Sequence, residues 1–383
     1  MNIELKNAGH EYFYIICMSQ IKMQKVFVSI VNKTPGLKKV FLGLMNFYYK
    51  FFPFILGNLI RIPEYLRNVY NSKVIVKPNE IENFGAIFNP GVLLLDDCMF
   101  LLANAQIIPW FKARGIKRKY YMKGNPLVIL LHIKNLNIKN QSIITKIIGI
   151  PKDKDYEIED FRLFHWRGKK MINHSLVEKG NIDGFVNQVS VLSALSFLDE
   201  KDNSFRFCTV PKPDFPLQNF EKNWMYKENG KQLLLFYSLN PYKVLILDDE
   251  ENFSFKTIIN QHLSSKFCDP GGFGTMVSLS TNPIDFDDQH WLIIIHQIKL
   301  NFTGRCYYHW AVLIDRITFL PTKITSKPIF SGMGARGRLP GIRYISSILK
   351  LEDEILFFAG EGDICITLTK KKIIELQNLF VVI

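Results

Sequence analysis

The pattern of apolar and polar positions changes near residue 74. Beyond it, short apolar or alternating runs are bounded by Gly, Pro, Asn and Asp, which is how strands and turns read. Such runs include GVLLLDDCMFLLANAQ at 91–106, DFRLFHWRGKKMINHSLV at 160–177, KQLLLFYSLNPYKVLILDD at 231–249, and EILFFAGEGDICITLT at 354–369. WLIIIHQIKL at 291–300 and YYHWAVLI at 307–314 read the same way. Polar turns such as Arg167-Gly168-Lys169 and Glu228-Asn229-Gly230 join successive strands into hairpins. Helical spacing is predicted in only two stretches of this region, 112–148 and 183–198. The pattern from 74 onward is all-β.

Residues 1–73 read instead as a helical, apolar and basic extension. The run Val40–Ile62, VFLGLMNFYYKFFPFILGNLIRI, is long enough to span a bilayer, but Lys50 sits in its middle beside Asn46, Pro53 and Asn58. A central Lys costs roughly 2.5–3.5 kcal/mol on insertion scales. Lys38, Lys39, Arg61 and Arg67 at its flanks suit a helix lying on an anionic membrane surface. A soluble packing helix, a surface helix and a true span all remain compatible with this text.

The β region repeats itself. A polar, turn-forming group precedes each hairpin at Asn89, Asp160, Asn223, Gly272 and Gly341, spaced by 71, 63, 49 and 69 residues. These are blade-sized intervals, and five such units predict a five-bladed β-propeller over 74–383. The last unit carries about three strands, so VIVK at 74–77 is predicted to complete it and close the ring. A β-sandwich with extra strands is the competing architecture.

Composition narrows the function. Apolar residues make up 48% and charged residues 22%, which excludes a disordered, collagen-like or coiled-coil chain. The net charge of +13 suits phosphate, nucleic acid, an anionic sugar or a membrane surface. Six scattered cysteines without a CxxC pair predict a reducing, cytoplasmic setting and no metal centre. GGFGT at 271–275 lacks the βαβ context of a dinucleotide fingerprint. FKARGIKRKYYMKG at 111–124 mixes cations with tyrosines, yet a solvated insertion explains it as well as a nucleic-acid surface. GxSxG and P-loop motifs are absent from the sequence.

The hairpin lead-ins carry a resemblance. Asn89-Pro90, Glu159-Asp160-Phe161-Arg162, Lys222-Asn223-Trp224, Gly271-Gly272, His296 with Tyr308-His309, and Gly360-Glu361-Gly362-Asp363 follow one another in the order seen in glycoside hydrolase family 130. The chain thus resembles the β-mannoside phosphorylases and mannosidases of that family over roughly 80–380. Two positions depart from the family pattern. Phe161 stands where a Pro is usual, and Leu102-Ala103-Asn104 stands where the first blade usually ends in an Arg that holds sugar or phosphate.

The resemblance implies that Asp160 donates the proton to the leaving glycosidic oxygen. An unperturbed Asp ionises near pH ~3.9, so such an acid needs burial or a neighbouring charge. Arg162, two residues on, would share a strand face with Asp160 and could grip phosphate or carboxylate in a fork. Lys222, His296 and His309 complete the expected cationic set, with Asn89 and Asn223 beside it. Asp363 reads as an acceptor for sugar hydroxyls, and Trp224 and Tyr308 as rings on which a sugar could stack. The expected partner is an oligosaccharide or glycoside, with inorganic phosphate as co-substrate and no other cofactor. The expected function is a glycoside phosphorylase or hydrolase for β-linked, mannose-like sugars. The alternatives are a catalytically silent propeller that binds glycans or proteins, and a membrane-tethered accessory of glycan assembly.

Overall fold

In the computed structural model, the described residues are 72–383 without 78–79, 82–83, 107–124, 145, 151–155, 183–184, 200–203, 231, 302–303, 334 and 336–340. The expectations for the N-terminal extension, including a membrane contact through 40–62, fall on residues outside this set. Among the described residues, no helix is long and apolar enough to cross a membrane.

The strands form five sheets arranged as a β-propeller. The first runs from its innermost strand Ala86–Leu94 through Cys98–Gln106 and Asn125–His132 to Ile138–Ile143, all antiparallel. The second starts from Tyr156–Trp166 and continues through Lys169–Ile182, Phe185–Asp199 and Ser204–Thr209. The third starts from Met225–Asn229 and continues through Gln232–Leu239, Tyr242–Asp249 and Ser254–Gln261. In the fourth, two short pieces, Val277–Leu279 and Ile284–Asp285, both pair with His290–Asn301, which pairs in turn with Gly304–Asp315. The fifth begins with Arg343–Leu351, then Glu354–Glu361 and Cys365–Lys372.

The outer edge of the fifth sheet is Lys73–Val76, antiparallel to Cys365–Lys372, so the chain's two ends of the propeller meet in one sheet as VIVK predicted. Other edges are covered by borrowed strands. Lys146–Ile148 pairs parallel to Ser204–Thr209, Lys212–Pro213 parallel to Ser254–Gln261, and Phe380–Val382 antiparallel to Pro321–Thr325. Covering edges in this way limits edge-to-edge aggregation.

The core is divided among the interfaces between sheets. Leu93, Phe100, Phe161 and Phe205 join first to second, and Phe164, Leu195, Trp224 and Phe255 join second to third. Phe236, Trp291 and Trp310 join third to fourth, and Leu292, Phe330 and Phe357 fourth to fifth. Ile75, Val76, Ile87, Met99 and Phe358 close the circle from fifth to first. Strands buried on both faces carry this arrangement, which explains their near-continuous apolar text.

Two helical expectations are corrected. Residues 183–198 fall largely in the strand Phe185–Asp199, and the described part of 112–148 is strand apart from its turns. VSVLSALSFL has apolar spacing compatible with a helix, but it lies between two hydrogen-bonded neighbours, and pairing on both sides decides it.

Candidate active site

Each innermost strand runs from one end of the propeller axis to the other, and the predicted residues gather where these strands begin. Asn89 and Asp160 interrupt the first and second innermost strands at equivalent bulges, between Phe88 and Gly91 and between Glu159 and Arg162. Both are in the left-handed region, with φ of 49° and 58°, as are Asn223 at 66° and Asp363 at 52°. Asn and Asp are the non-glycine residues that tolerate this region best, which is why the pattern was visible as polar lead-ins. Gly272 and Gly341 are corrected as lead-in marks. The counterparts in the fourth and fifth sheets are Ser280 and the bulge between Ile345 and Ser347, several residues downstream.

The Asn89 side-chain amide donates to Asp160 Oδ1 at 3.1 Å. Asn89 can sit there because Gly360 faces it. A Cβ at Gly360 would stand 2.0 Å from Asn89 Oδ1 and 2.7 Å from its backbone nitrogen. The GEGD motif of the fifth sheet therefore makes room for the residue that holds the candidate acid.

Beneath Asp160 lies a buried layer centred on Arg162, which is only 3% exposed. Its Nε donates to the Ser280 carbonyl at 2.8 Å, Nη1 to the Asp160 carbonyl at 3.3 Å, and Nη2 to Asn223 Oδ1 at 3.0 Å and to the Tyr344 hydroxyl. Tyr344 donates onward to Asn223 Oδ1 at 3.3 Å. Four of the five guanidinium N–H groups are thus taken by acceptors in four sheets. The expected free fork for phosphate is corrected: Arg162 ties the site's floor together.

Burial disfavours the charged form of both site histidines. His296 is fully enclosed, and burial, with Arg162 and Lys222 nearby, pushes it down to about 3. Its Nδ1 pairs with the Ser280 hydroxyl at 2.7 Å, and its ring stacks on Tyr307 at 5.4 Å and meets Tyr344 edge-on at 5.3 Å. His309 lies well below the ordinary range, again chiefly through burial. Its Nε2 accepts the Ile345 N–H at 3.3 Å, so its proton sits on Nδ1, which has no partner among the described residues. Neither ring supplies the positive charge expected of it.

This burial has a consequence in acid. The unfolded chain protonates His296 near its ordinary 6.5, the folded chain only near 3. Between those values the unfolded state binds more protons, so stability falls as pH drops from about 6.5 toward 3. His174, buried and pushed to about 3, adds to the same slope. The urea midpoint is expected to decline already between pH 6.5 and 5, before most carboxylates titrate. A flat midpoint over that window would contradict neutral, buried histidines.

Tyr307 and Tyr344 are site residues that sequence reasoning missed. Tyr307 lies above the ordinary tyrosine range through burial, and both Asp363 and Asp160 push it further up while Arg305 opposes. That places both carboxylates and Arg305 around one ring. The signal was available in alternation: His309 was expected to face inward, and Tyr307, two residues away, shares its side. Tyr308 faces the other way, correcting its expected role. It packs on Phe273 at 5.0 Å in the third–fourth core, and its hydroxyl donates to Met333 Sδ at 3.3 Å. Trp224 is also core, 1% exposed against Tyr237. Lys222 is exposed beside the floor residue Asn223, close enough to act on His296. Asn104 is 3% exposed with an unpaired Oδ1, so the first sheet contributes no cation at that position.

A cavity of about 740 Å³ lies at the other end of the axis, lined by all five sheets and including Val92, His165, Lys227, Asp285 and Lys350. These residues follow the bulges, beyond the Arg162 layer from Asp160. Its lysines are already engaged, Lys227 with Asp285 at 3.2 Å and Lys350 with the Phe286 carbonyl at 2.7 Å. The residues predicted from the sequence gather instead at the Asp160 end.

Neither a protein-family model nor a curated protein matches the chain. Solved structures do. A β-1,2-mannobiose phosphorylase from Listeria innocua, in complex with β-1,2-mannobiose, superposes with a TM-score of 0.56 at 14% identity, over 80% of this chain and 96% of that one. The fold is that of the mannoside phosphorylase propellers. A glycosyl hydrolase from Bacteroides ovatus follows at 0.55 and 10% identity, over 81% of this chain and 92% of its own. A mannose phosphorylase from Leishmania mexicana, in complex with phosphate ion, matches at 0.52 and 10% identity, over 82% and 93%.

Proposed function

We propose that this chain is a carbohydrate-active propeller enzyme that cleaves a β-mannoside-like glycosidic bond, with Asp160 protonating the leaving oxygen. The observation that carries this reading is the Asn89–Asp160 pair, held on two left-handed bulges above a hydrogen-bonded polar floor. A carboxyl group fixed by one amide hydrogen bond and a rigid floor keeps its geometry through proton transfer.

The attacking group in this reading is inorganic phosphate, received from the rim by Lys222 and Arg305. Both are exposed, and each acts electrostatically on a site ring, Lys222 on His296 and Arg305 on Tyr307. A second reading, inverting hydrolysis, is favoured by one observation: Asp363 shares Tyr307 with Asp160. A base carboxylate roughly 6.5–9.5 Å from the acid would activate water instead.

The test is cleavage of β-1,2- and β-1,4-linked mannobiose with and without inorganic phosphate. The Listeria innocua neighbour binds the first of these, which makes it the first choice. Phosphate-dependent release of a sugar phosphate is expected. Free mannose released equally without phosphate would replace the phosphorylase by the hydrolase. Binding of either disaccharide with no cleavage under both conditions would leave a silent glycan-binding propeller.

A further inference from the structure

The cavity at the far end of the axis has a cross-tied floor of its own. Asn282, one of its lining residues, donates through Nδ2 to the Leu163 carbonyl at 3.1 Å and accepts the Tyr226 N–H at 3.0 Å. That side chain joins the second, third and fourth sheets. Ser347, also in the lining, accepts the Val92 N–H at 3.2 Å and donates to the Pro90 carbonyl at 2.9 Å, joining the first and fifth. These ties and the Arg162 layer lie between the cavity and Asp160.

The lining divides into two kinds of surface. Val92, Leu93, Leu163, Phe164 and Ile348 are apolar and at most 8% exposed. The less buried lining is charged: Lys227 and Glu228 from the third sheet, Asp285 from the fourth, Lys350 and Glu352 from the fifth. Lys227 and Arg316 share Asp285 at 3.2 and 3.1 Å, and Glu228 accepts the Arg167 backbone N–H at 3.2 Å. Two groups keep capacity to spare. Lys350 spends one of its three N–H donors, on the Phe286 carbonyl at 2.7 Å, and Glu352 has no partner among the described residues.

This mixture selects a ligand class. An anion would have to approach three carboxylates, and a cation would have to approach two lysines with Arg316 behind them. A hydrocarbon would strip water from all five charged groups without replacing its hydrogen bonds. A hydroxylated, uncharged molecule meets none of these costs. Each hydroxyl both donates and accepts, which suits a spare ammonium beside a spare carboxylate, and the C–H face of a sugar ring suits the apolar lining. At about 740 Å³ the cavity falls within the range of about 300–1,000 Å³ usual for small-molecule sites.

We propose that the far mouth of the propeller is a second, non-catalytic site for a neutral sugar, with Lys350 and Glu352 as its hydrogen-bonding pair. The five sheets that build it are cross-tied by Asn282 and Ser347, so the site is formed before the sugar arrives. It goes beyond the glycoside reading and does not depend on Asp160 cleaving anything.

The test uses the full chain, methyl-labelled for NMR, because Val92, Leu93, Leu163 and Ile348 place reporter methyl groups around this cavity alone. β-1,2-Mannobiose, maltose and cellobiose are titrated in turn, with inorganic phosphate and putrescine as charged controls. At least one sugar is expected to shift these resonances saturably, and neither control is. Lys350→Met with Glu352→Gln is expected to raise the half-saturating sugar concentration at least tenfold. Should the pair fail to fold, Glu352→Gln alone keeps shape and backbone, and a threefold rise is expected. Shifts with none of the three sugars, larger shifts with either control, or shifts that survive the substitutions would overturn the proposal. The last outcome would mean that the methyl groups sense sugar bound at the Asp160 end. Cleavage of mannobiose by the unsubstituted protein separates the two readings. Cleavage with silent methyl groups sinks the second site alone, whereas shifts that depend on Lys350 and Glu352 without any cleavage keep the second site and sink the enzyme.

Discussion

Replacing Asp160 by Asn is expected to lower glycoside turnover by about two to four orders of magnitude, the usual worth of acid–base catalysis, while barely moving the melting temperature. The substitution is chosen on backbone grounds. Asp160 has φ of 58°, a conformation that Asn accepts readily and that would strain Ala by roughly 1–2 kcal/mol. The variant's amide oxygen can still accept from Asn89, so the hydrogen bond seen at 3.1 Å survives and only the transferable proton is lost. Arg162 is untouched, because it uses the Asp160 backbone carbonyl rather than the carboxylate. Turnover per folded molecule and thermal melting are measured on the same sample. A melting temperature that collapses while specific turnover holds would make Asp160 a structural turn residue.

What could be read in advance follows from which features are local. The lead-ins Asn89-Pro90, Asp160-Phe161 and Lys222-Asn223 were legible because a left-handed bulge restricts residue type at one position. VIVK was legible as a closing strand because the last unit was one strand short. Features set by register were not legible. In Tyr307-Tyr308-His309 alternation groups Tyr307 with His309, but a one-residue slip would exchange the faces, and it is the pairing of His296 with His309 that fixes them. Tyr344 sits in GIRYISSIL, an ordinary strand until the ring brings the fifth sheet against Arg162 from the second. The state of the cations was also hidden. A sequence shows that Arg162 and His296 exist, but not that four protein acceptors occupy the one and burial neutralises the other. The Phe161 departure has a visible role: the ring is fully buried in the first–second core, edge-on to Phe205 at 6.2 Å, so it packs where a Pro would only turn.

Removing the closing strand is expected to have the largest effect on stability. Lys73, Val74 and Val76 pair with Leu368, Thr367 and Ile366, and Ile75 and Val76 are 5% and 0% exposed in the core that joins the fifth sheet to the first. A chain beginning at Pro78 lacks both side chains, each worth roughly 1.5–3 kcal/mol buried, together with several ladder hydrogen bonds at about 1 kcal/mol each. The loss of about 5 kcal/mol or more is comparable with the whole stability of many domains. It also bares the edge of Cys365–Lys372, an invitation to aggregate. A chain beginning at Tyr70 keeps the strand and is expected to melt like the full chain. The Pro78 form is expected to melt lower by roughly 10 °C or to precipitate on expression. Equal melting of the two shortened forms would show that Lys73–Val76 does not hold the ring closed. Failure of the Tyr70 form alongside the Pro78 form would instead assign part of the propeller's stability to residues before 70, and move the domain boundary toward the N-terminus.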